Sequence, residues 1–212
     1  MMRTKVAVSG FSSNVGKTTL VCDLLRAFPG WEAIKVTRGH YRSCGKDPHA
    51  CCVSHLLGEE PLIRSGRELT YAPGKDTGRY WDAGASNVHW LIVTEQQVER
   101  GIRSALERVR AEGVLIEGTS FLNFVEVDVA LMAAPSRAGR IKPSARRVLK
   151  KISALYLSDE DVEGTAARER FRLWRQSSPD RAPLDSIPVY TREQLPEIVA
   201  RLRAISSAPA AV

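Results

Sequence analysis

The sequence lacks the segments that would place the protein in a membrane or on a nucleic acid. It has no long apolar run, and "VAVSGF" near its start is too short for a signal peptide or a membrane span. It also has no long run of basic residues and no recognisable nucleic-acid-binding module. We therefore expect a cytoplasmic protein that binds neither a membrane nor a nucleic acid.

Cysteines and aromatic residues are few, but the apolar content is ordinary. The 212 residues include four cysteines, 7% aromatic residues and 43% hydrophobic residues. This apolar content suffices for the core of one domain, and cysteines in the cytoplasm need not form disulfides. The net charge of +7 favours an anionic ligand or surface.

Short apolar runs alternate with segments of helical periodicity along most of the chain. The runs predicted as strands are 4–10, 31–38, 88–94, 113–118, 127–134, 152–157 and 186–191. The segments predicted as helices are 17–28, 96–110, 143–151, 162–176 and 192–206, with a short helix within 74–85. This alternation predicts a three-layer α/β fold, in which a mostly parallel, twisted sheet of about seven strands lies between two layers of helices.

One segment interrupts the alternation. We expect residues 1–206 to form a single domain, in which 39–74 is an irregular insertion and 207–212 a frayed tail. The insertion contains Cys44, Cys51 and Cys52. Soft ligands at this density can bind Zn²⁺ or an iron–sulfur cluster. The alternative is a set of reduced cysteines packed beneath a loop, and Cys22, on the first helix, is expected in the core.

A glycine-containing loop, "GFSSNVGKTTL" (10–20), links the first strand to the first helix. Phosphate-binding loops have glycine, four residues, and then Gly-Lys-Ser/Thr, which would place the first glycine where this chain has Phe11. We predict that the loop still binds a nucleotide, because one extra residue moves the tight turn and not the groups that contact phosphate. The predicted nucleotide-binding residues are Ser13, Asn14, Val15, Gly16, Lys17, Thr18 and Thr19.

A second ligand for the metal ion that accompanies a nucleotide is expected on a neighbouring strand. The run "GVLIEG" ends in Glu117 and Gly118. The Thr18 hydroxyl and the Glu117 carboxylate are predicted to hold Mg²⁺, directly or through water, and Gly118 would let the backbone pass close to phosphate. The alternative for Glu117 is an ordinary acidic residue at a strand end.

The loop and a second motif resemble one branch of P-loop proteins. "GFSSNVGKTT" is similar to the loops of the dethiobiotin synthetase and cobyrinic-acid amidation families, whose branch also includes the molybdopterin-guanine dinucleotide biosynthesis protein B family. "GKDTGRYWDAGA" (74–85) closely resembles the Gly-Lys-Asp-Ser/Thr-x-Arg-His-x-x-Ala-Gly-Ala motif of the protein B family, with Tyr80 in place of the histidine. "AIKVTRGHY" (33–41) resembles its segment after the second strand, with Lys35 matched and Arg38 at an imidazole position. The resemblance covers about residues 4–120.

The resemblance implies a protein that binds GTP, hydrolyses it slowly and assists the nucleotidyl transferase that joins GMP to molybdopterin. The residues agree in outline, because Lys17 can bind the outer phosphates, Asp76 can orient an attacking water, and Arg79 can neutralise charge. These three residues are the predicted catalytic groups. The equally favoured alternative for Asp76 and Arg79 is a capping and ion-pair role at the start of a helix, where Asp76 is well placed as the N-cap.

Two other functions remain open. One is an ATP-dependent ligase or kinase of the dethiobiotin synthetase type, in which Lys35, Lys75 and Arg79 hold a small anionic metabolite. The other is a nucleotide-dependent adaptor or metal-delivery module. The base is open as well, because no Asn-Lys-x-Asp guanine signature is present, and Asp159 or Asp161 either accepts from guanine or begins a helix. The oligomeric state is also open, with a homodimer among the options.

Overall fold

An eight-stranded sheet forms the centre of this computed structural model, which describes residues 3–39, 53–137, 139–159 and 163–208. The strand order is β3-β4-β2-β5-β1-β6-β7-β8, and every pairing is parallel except that of β3 with β4. The strands are β1 Thr4–Gly10, β2 Glu32–Arg38, β3 Leu62–Ser65, β4 Val88–Val93, β5 Gly113–Glu117, β6 Val129–Ala134, β7 Ala154–Leu157 and β8 Val189–Tyr190. The prediction of a mostly parallel α/β fold is thereby confirmed.

Helices cover both faces of the sheet. One core cluster joins the sheet to α1, α3 and α8, and the other joins it to α4, α6 and α7. The helices are α1 Lys17–Ala27, α2 Arg67–Thr70, α3 Asp76–Asp82, α4 Val98–Arg108, α5 Pro143–Arg146, α6 Gly164–Ser177, α7 Arg181–Asp185 and α8 Leu195–Ser206. No helix in the described ranges has the length and apolar character needed to cross a bilayer.

The central strands are apolar on both faces, which is typical of parallel strands covered by helices. In β1, Val6 and Val8 belong to the core beneath α1, whereas Ala7 between them belongs to the opposite core. In β5, Leu115 faces the α1 side and its neighbours Val114 and Ile116 face the other. The two strands pair directly, so their carboxyl ends lie side by side at one edge of the sheet.

The segment expected to be an irregular insertion contributes the eighth strand. Residues Leu62–Ser65 pair antiparallel with β4, which corrects the expectation of irregular structure throughout 39–74. The strand is hard to recognise in the sequence because only four residues separate Pro61 from Gly66, whose φ of 87° ends it. Residues 40–52, with Cys44, Cys51 and Cys52, lie outside the described ranges.

The carboxyl-terminal helices differ in detail from the prediction. The segment 143–151 divides into α5 and a 3₁₀ turn at Leu149–Lys151. The last helix begins at Leu195, after a 3₁₀ turn whose first residues are capped by Thr191 and Gln194. The short helix α7 has too few residues to give a periodic signal.

A buried polar cluster joins three strands at the edge of the sheet opposite the glycine loop. Glu32, at the start of β2, is 4% exposed and accepts a hydrogen bond from Nε2 of His89 at 2.7 Å. The backbone N–H groups of Arg110 and Ala111 donate to its other carboxylate oxygen. Nδ1 of His89 lies 2.8 Å from Oγ of Ser65. Burial opposes ionisation of Glu32, but the hydrogen bonds from His89 and the two N–H groups outweigh it and lower the pKa of the carboxyl.

We predict that Glu32→Gln lowers the free energy of unfolding by about 1.5–3 kcal/mol at pH 7, the range for loss of a hydrogen bond to a charged group. Because folding lowers the pKa of Glu32, its stabilising contribution is present above the pKa of a free glutamate, about 4.3, and is lost as the pH falls through the folded value. Urea unfolding of both proteins should therefore give a stability difference that shrinks below about pH 4. Glu107→Gln is the matched control, because Glu107 is exposed on α4. Equal stability of wild type and Glu32→Gln at pH 7 would contradict the prediction.

Candidate functional site

A cavity of about 620 Å³ opens at the carboxyl ends of β1, β2 and β5. Ligands of open α/β sheets bind at this edge, and the volume is in the range of small-molecule sites. The cavity contains all seven residues predicted to bind the nucleotide, together with both predicted metal-side residues, Thr18 and Glu117. Its lining residues are Ser13, Asn14, Val15, Gly16, Lys17, Thr18, Thr19, Lys35, Val36, Arg38, Asp76, Arg79, Glu117, Gly118, Thr119, Ser120, Lys142 and Ser144.

Two residues of the loop between β1 and α1 adopt the left-handed backbone conformation before the helix begins. Asn14 has a φ of 57°, and Gly16, the N-cap of α1, has a φ of 72°. Asparagine and glycine are the residues that adopt this conformation most readily. The loop therefore ends on the amino terminus of an eleven-residue helix, whose unpaired N–H groups and dipole favour an anion.

The early glycine of the loop is a packing requirement. A Cβ atom on Gly10 would lie 2.6 Å from Cγ2 of Val15 and 3.0 Å from Cδ of Lys17. The residue at the usual glycine position, Phe11, is 2% exposed and packs its ring against Phe171 and Trp174 of α6. The loop thus begins one residue earlier than usual because position 11 belongs to the core.

The Glu117 carboxylate is the centre of the polar contacts in the cavity. It is 2% exposed and accepts hydrogen bonds from three elements. Oγ1 of Thr18 donates to it at 2.8 Å, Nζ of Lys35 at 2.5 Å, and the phenol of Tyr80 also donates to it. Burial, reinforced by the neighbouring charge of Glu117, holds the pKa of Tyr80 well above its usual value, so the phenol keeps its proton and remains a donor.

Asp76 belongs to the same network. Its carboxylate lies 2.5 Å from Nζ of Lys35, which thus contacts both acidic residues of the cavity. Burial opposes its ionisation, but the contacts with Lys35 and Thr18 outweigh it and lower the pKa of Asp76. The N-cap of α3 is Lys75, and no side chain caps the helix. The N-cap interpretation of Asp76 is therefore wrong, because the carboxylate points to Lys35 instead of to the helix backbone.

The cations of the cavity are crowded. Among the described residues, Nζ of Lys17 donates only to the carbonyl of Ser12, at 3.4 Å. Burial lowers the pKa of Lys17, and the nearby charges of Lys142 and Lys35 lower it further, against the opposing effect of Glu117 and Asp76. An anionic ligand in the cavity would relieve this repulsion.

Arg79 and Cys22 lie where α3 crosses α1. The guanidinium of Arg79 donates to Oγ1 of Thr19 at 3.1 Å and lines the cavity. Cys22 is 2% exposed, and burial raises its pKa to about 11. This thiol is a core residue, as the sequence predicted.

Several residues expected near a ligand lie elsewhere. Lys75 is exposed and is absent from the cavity lining. Within the described ranges no three His, Cys, Asp or Glu side chains group as metal ligands. Asp161 and the three cysteines of the insertion are outside those ranges.

Asp159 lies beside the glycine loop, at the end of β7. It accepts a hydrogen bond from the N–H of Ser136 at 2.6 Å. It also lines a second cavity, of about 480 Å³, whose other wall is Ser12–Gly16 of the loop. Asp159 is therefore attached to the chain just after β6, beside the glycine loop.

Three site residues were not assigned from the sequence. Tyr80 is buried and donates to Glu117, a contact between distant elements that the sequence does not reveal. Arg38 ends β2, so its position at the carboxyl edge of the sheet could have indicated it. Lys142 follows β6 in a loop without periodicity, and no local signal identifies it.

The comparisons with known proteins give likenesses to solved structures. No protein-family model matches the chain, and no curated protein matches it. A similar solved structure is LpxK from Aquifex aeolicus, described as an "apo" form in complex with ATP. It is 17% identical, with 77% of this chain and 50% of that chain covered and a TM-score of 0.49. This chain thus spans half the length of that protein. The function of this chain is therefore inferred from the geometry of its own cavity.

We predict that Gly10→Ala weakens binding of a nucleotide to the loop, because the added methyl group displaces Val15 and the stem of Lys17. Overpacking of this kind costs about 1–3 kcal/mol, which corresponds to a loss of about 5- to 150-fold in affinity if the cost falls on the binding conformation of the loop. Titration calorimetry with ATP and GTP in the presence of Mg²⁺ measures the change. Gly58→Ala is the control, since a Cβ atom at Gly58 has no neighbour within 4 Å. Equal affinities of Gly10→Ala and Gly58→Ala would show that the early glycine has no such role.

Proposed function

We propose that this protein binds a nucleoside triphosphate with Mg²⁺ at the glycine loop and hydrolyses it slowly. The observation that carries the proposal is the hydrogen bond between Thr18, the first hydroxyl after the loop lysine, and the buried Glu117 at the end of the adjacent strand. A hydroxyl and a carboxylate joined in this way beside Lys17 suit the metal ion and outer phosphates of a bound triphosphate.

Each group of the loop has a separate task in this proposal. The backbone N–H groups of Ser13–Gly16 contact phosphate oxygens, and the positive end of α1 adds to their attraction. Lys17 binds the outer phosphates, with its present contact to Ser12 exchanged for the ligand. Arg79 and Thr19 form the adjacent wall.

The residues present fit a magnesium ion. Thr18 and Glu117 offer hard oxygen ligands, and Mg²⁺ in nucleotide sites is held by one or two such protein groups together with phosphates and water. When bound, magnesium neutralises charge on the phosphates during transfer.

Asp76 is proposed to orient the attacking water. Lys35 holds the carboxylate in place and keeps its pKa low. A carboxylate with a low pKa accepts a proton poorly, so this arrangement positions the water better than it activates it. Slow hydrolysis follows from this assignment.

The biological role is proposed from the resemblance in the first 120 residues or so. It favours a slow GTPase or ATPase that assists formation of molybdopterin guanine dinucleotide, with a pterin-cofactor transferase as partner. Hydrolysis that accelerates only when a partner protein is added would support this role.

A second candidate is an ATP-dependent ligase or kinase that acts on a small anionic metabolite. The cavity favours it, because five cationic side chains line it against two carboxylates, and both carboxylates are already held by Lys35. Turnover that rises sharply with one small metabolite would support it. Tight nucleotide binding without any turnover would instead favour a nucleotide-dependent adaptor or metal-delivery module.

We predict that Lys17→Ala abolishes measurable nucleotide binding and leaves the fold intact, because the side chain lies in the cavity and makes one weak hydrogen bond. A charged hydrogen bond to phosphate is worth about 1.5–3 kcal/mol, and the loop lysine makes more than one. Calorimetry with ATP and GTP measures binding, and circular dichroism checks the fold. Lys150→Ala, at an exposed position, is the control. Unchanged affinity in a folded Lys17→Ala protein would contradict the proposal that the glycine loop binds the nucleotide.

A further inference from the structure

The cavity extends beyond the groups that a nucleotide needs. Glu117, Thr18 and Lys17 lie on the loop side, whereas Arg38, Lys142 and Ser144 lie on a wall built from other elements. Arg38 is the last residue of β2, and Lys142 follows β6. The basic residues of this second wall have no task in nucleotide binding as described above.

The second wall is fixed by the backbone. The N–H of Lys142 donates to the carbonyl of Phe11 at 3.0 Å, so its loop is attached to the start of the glycine loop. The carbonyl of Lys142 accepts from the N–H groups of Ala145 and Arg146, which begin α5. Arg38 is held in register with Val93 of β4. Both cations therefore project from positions set by the sheet and its loops.

The charges of this wall are poorly compensated within the described residues. Nη1 of Arg38 is buried and makes no hydrogen bond. It lies 3.3 Å from Oε1 of Glu95, but that carboxylate is 61% exposed, and an ion pair with a solvent-exposed partner is screened and stabilises little. No hydrogen bond or ion pair joins the Lys142 ammonium to a described residue. Burial and the neighbouring charge of Arg38 lower the pKa of Lys142.

Among the described residues, the Lys142 ammonium has no partner, and Arg38 is paired only with an exposed carboxylate. Two neighbouring cations of this kind are unfavourable unless an anion lies beside them. The guanidinium presents parallel N–H donors that match a phosphate or carboxylate, and the ammonium adds a point charge. We propose that Arg38 and Lys142 form a subsite for an oxyanion group, phosphate or carboxylate, of a second small-molecule ligand that binds beside the nucleotide. This proposal rests on the proposed function, since the nucleotide occupies the loop side of the same cavity.

The test is titration of the nucleotide-loaded protein with two simple anions. Calorimetry follows the binding of inorganic phosphate and, separately, of acetate to protein saturated with Mg²⁺ and a non-hydrolysable ATP or GTP analogue, so that the loop is already filled. We expect at least one anion to bind. Arg38→Ala and Lys142→Ala should each weaken it by about tenfold or more, as loss of a charged hydrogen bond requires. The anion that binds more tightly identifies the group.

The variants also separate the subsite from the nucleotide site. Affinity for the analogue should fall much less than affinity for the anion, Arg38→Lys should recover part of the loss, and Arg201→Ala, on the exposed side of α8, should bind like wild type. If Arg38→Ala fails to fold, Lys142→Ala carries the test. Absence of anion binding to the loaded wild type, unchanged binding in both alanine variants, or an equal loss of analogue affinity would overturn the proposal.

Failure of the proposed function gives a different result. In that case the analogue does not bind the wild-type protein at all. The anion titration is then repeated without nucleotide on Lys17→Ala protein, in which the loop cation is absent. Anion binding that still depends on Arg38 and Lys142 would support the subsite on its own. Absence of anion binding would overturn it.

Discussion

The burial of one carboxylate organises the site. Glu117 is almost inaccessible to solvent, and an ionised carboxylate at that depth is tolerated only when donors surround it. Thr18 of α1, Lys35 of β2 and Tyr80 of α3 supply those donors. One charge at the end of β5 therefore determines where the first helix, the second strand and the third helix meet.

A second constraint couples the glycine loop to the core. Phe11 lies among the aromatic rings beneath α6, and its carbonyl holds the loop that carries Lys142. Gly10 must then lack a side chain, because Val15 and Lys17 occupy the space. Residue 11 thus connects the two features, because its side chain packs in the core and its carbonyl accepts from Lys142.

Local signals were sufficient for the parts of the molecule that depend on local rules. The strand, loop and helix at residues 4–27 and the pair formed by Thr18 and Glu117 follow from apolar runs and motif spacing. Other features required the tertiary structure. The strand β3 is too short to show periodicity, and Lys142 reaches the cavity only through the chain path after β6.

The side chain of Asp76 illustrates the same limit. Its position at the start of a helix suggested a cap, but the lysine that it contacts lies 41 residues earlier on β2. An ion pair between distant elements leaves no trace in the spacing of either segment. The phenol of Tyr80 likewise has a role in the site only because Glu117 is buried beside it.

The central claim is that this edge of the sheet binds a triphosphate together with magnesium. Thermal unfolding with ATP, GTP and their diphosphates, each with and without Mg²⁺, tests it most directly. A ligand at 100 times its dissociation constant adds about 2.7 kcal/mol to the stability of the folded state, which for a chain of this size raises the Tm by about 5–10 °C. The account predicts such a rise with at least one triphosphate and Mg²⁺, and a smaller rise when Mg²⁺ is omitted. No rise with any of these nucleotides at millimolar concentration would contradict it.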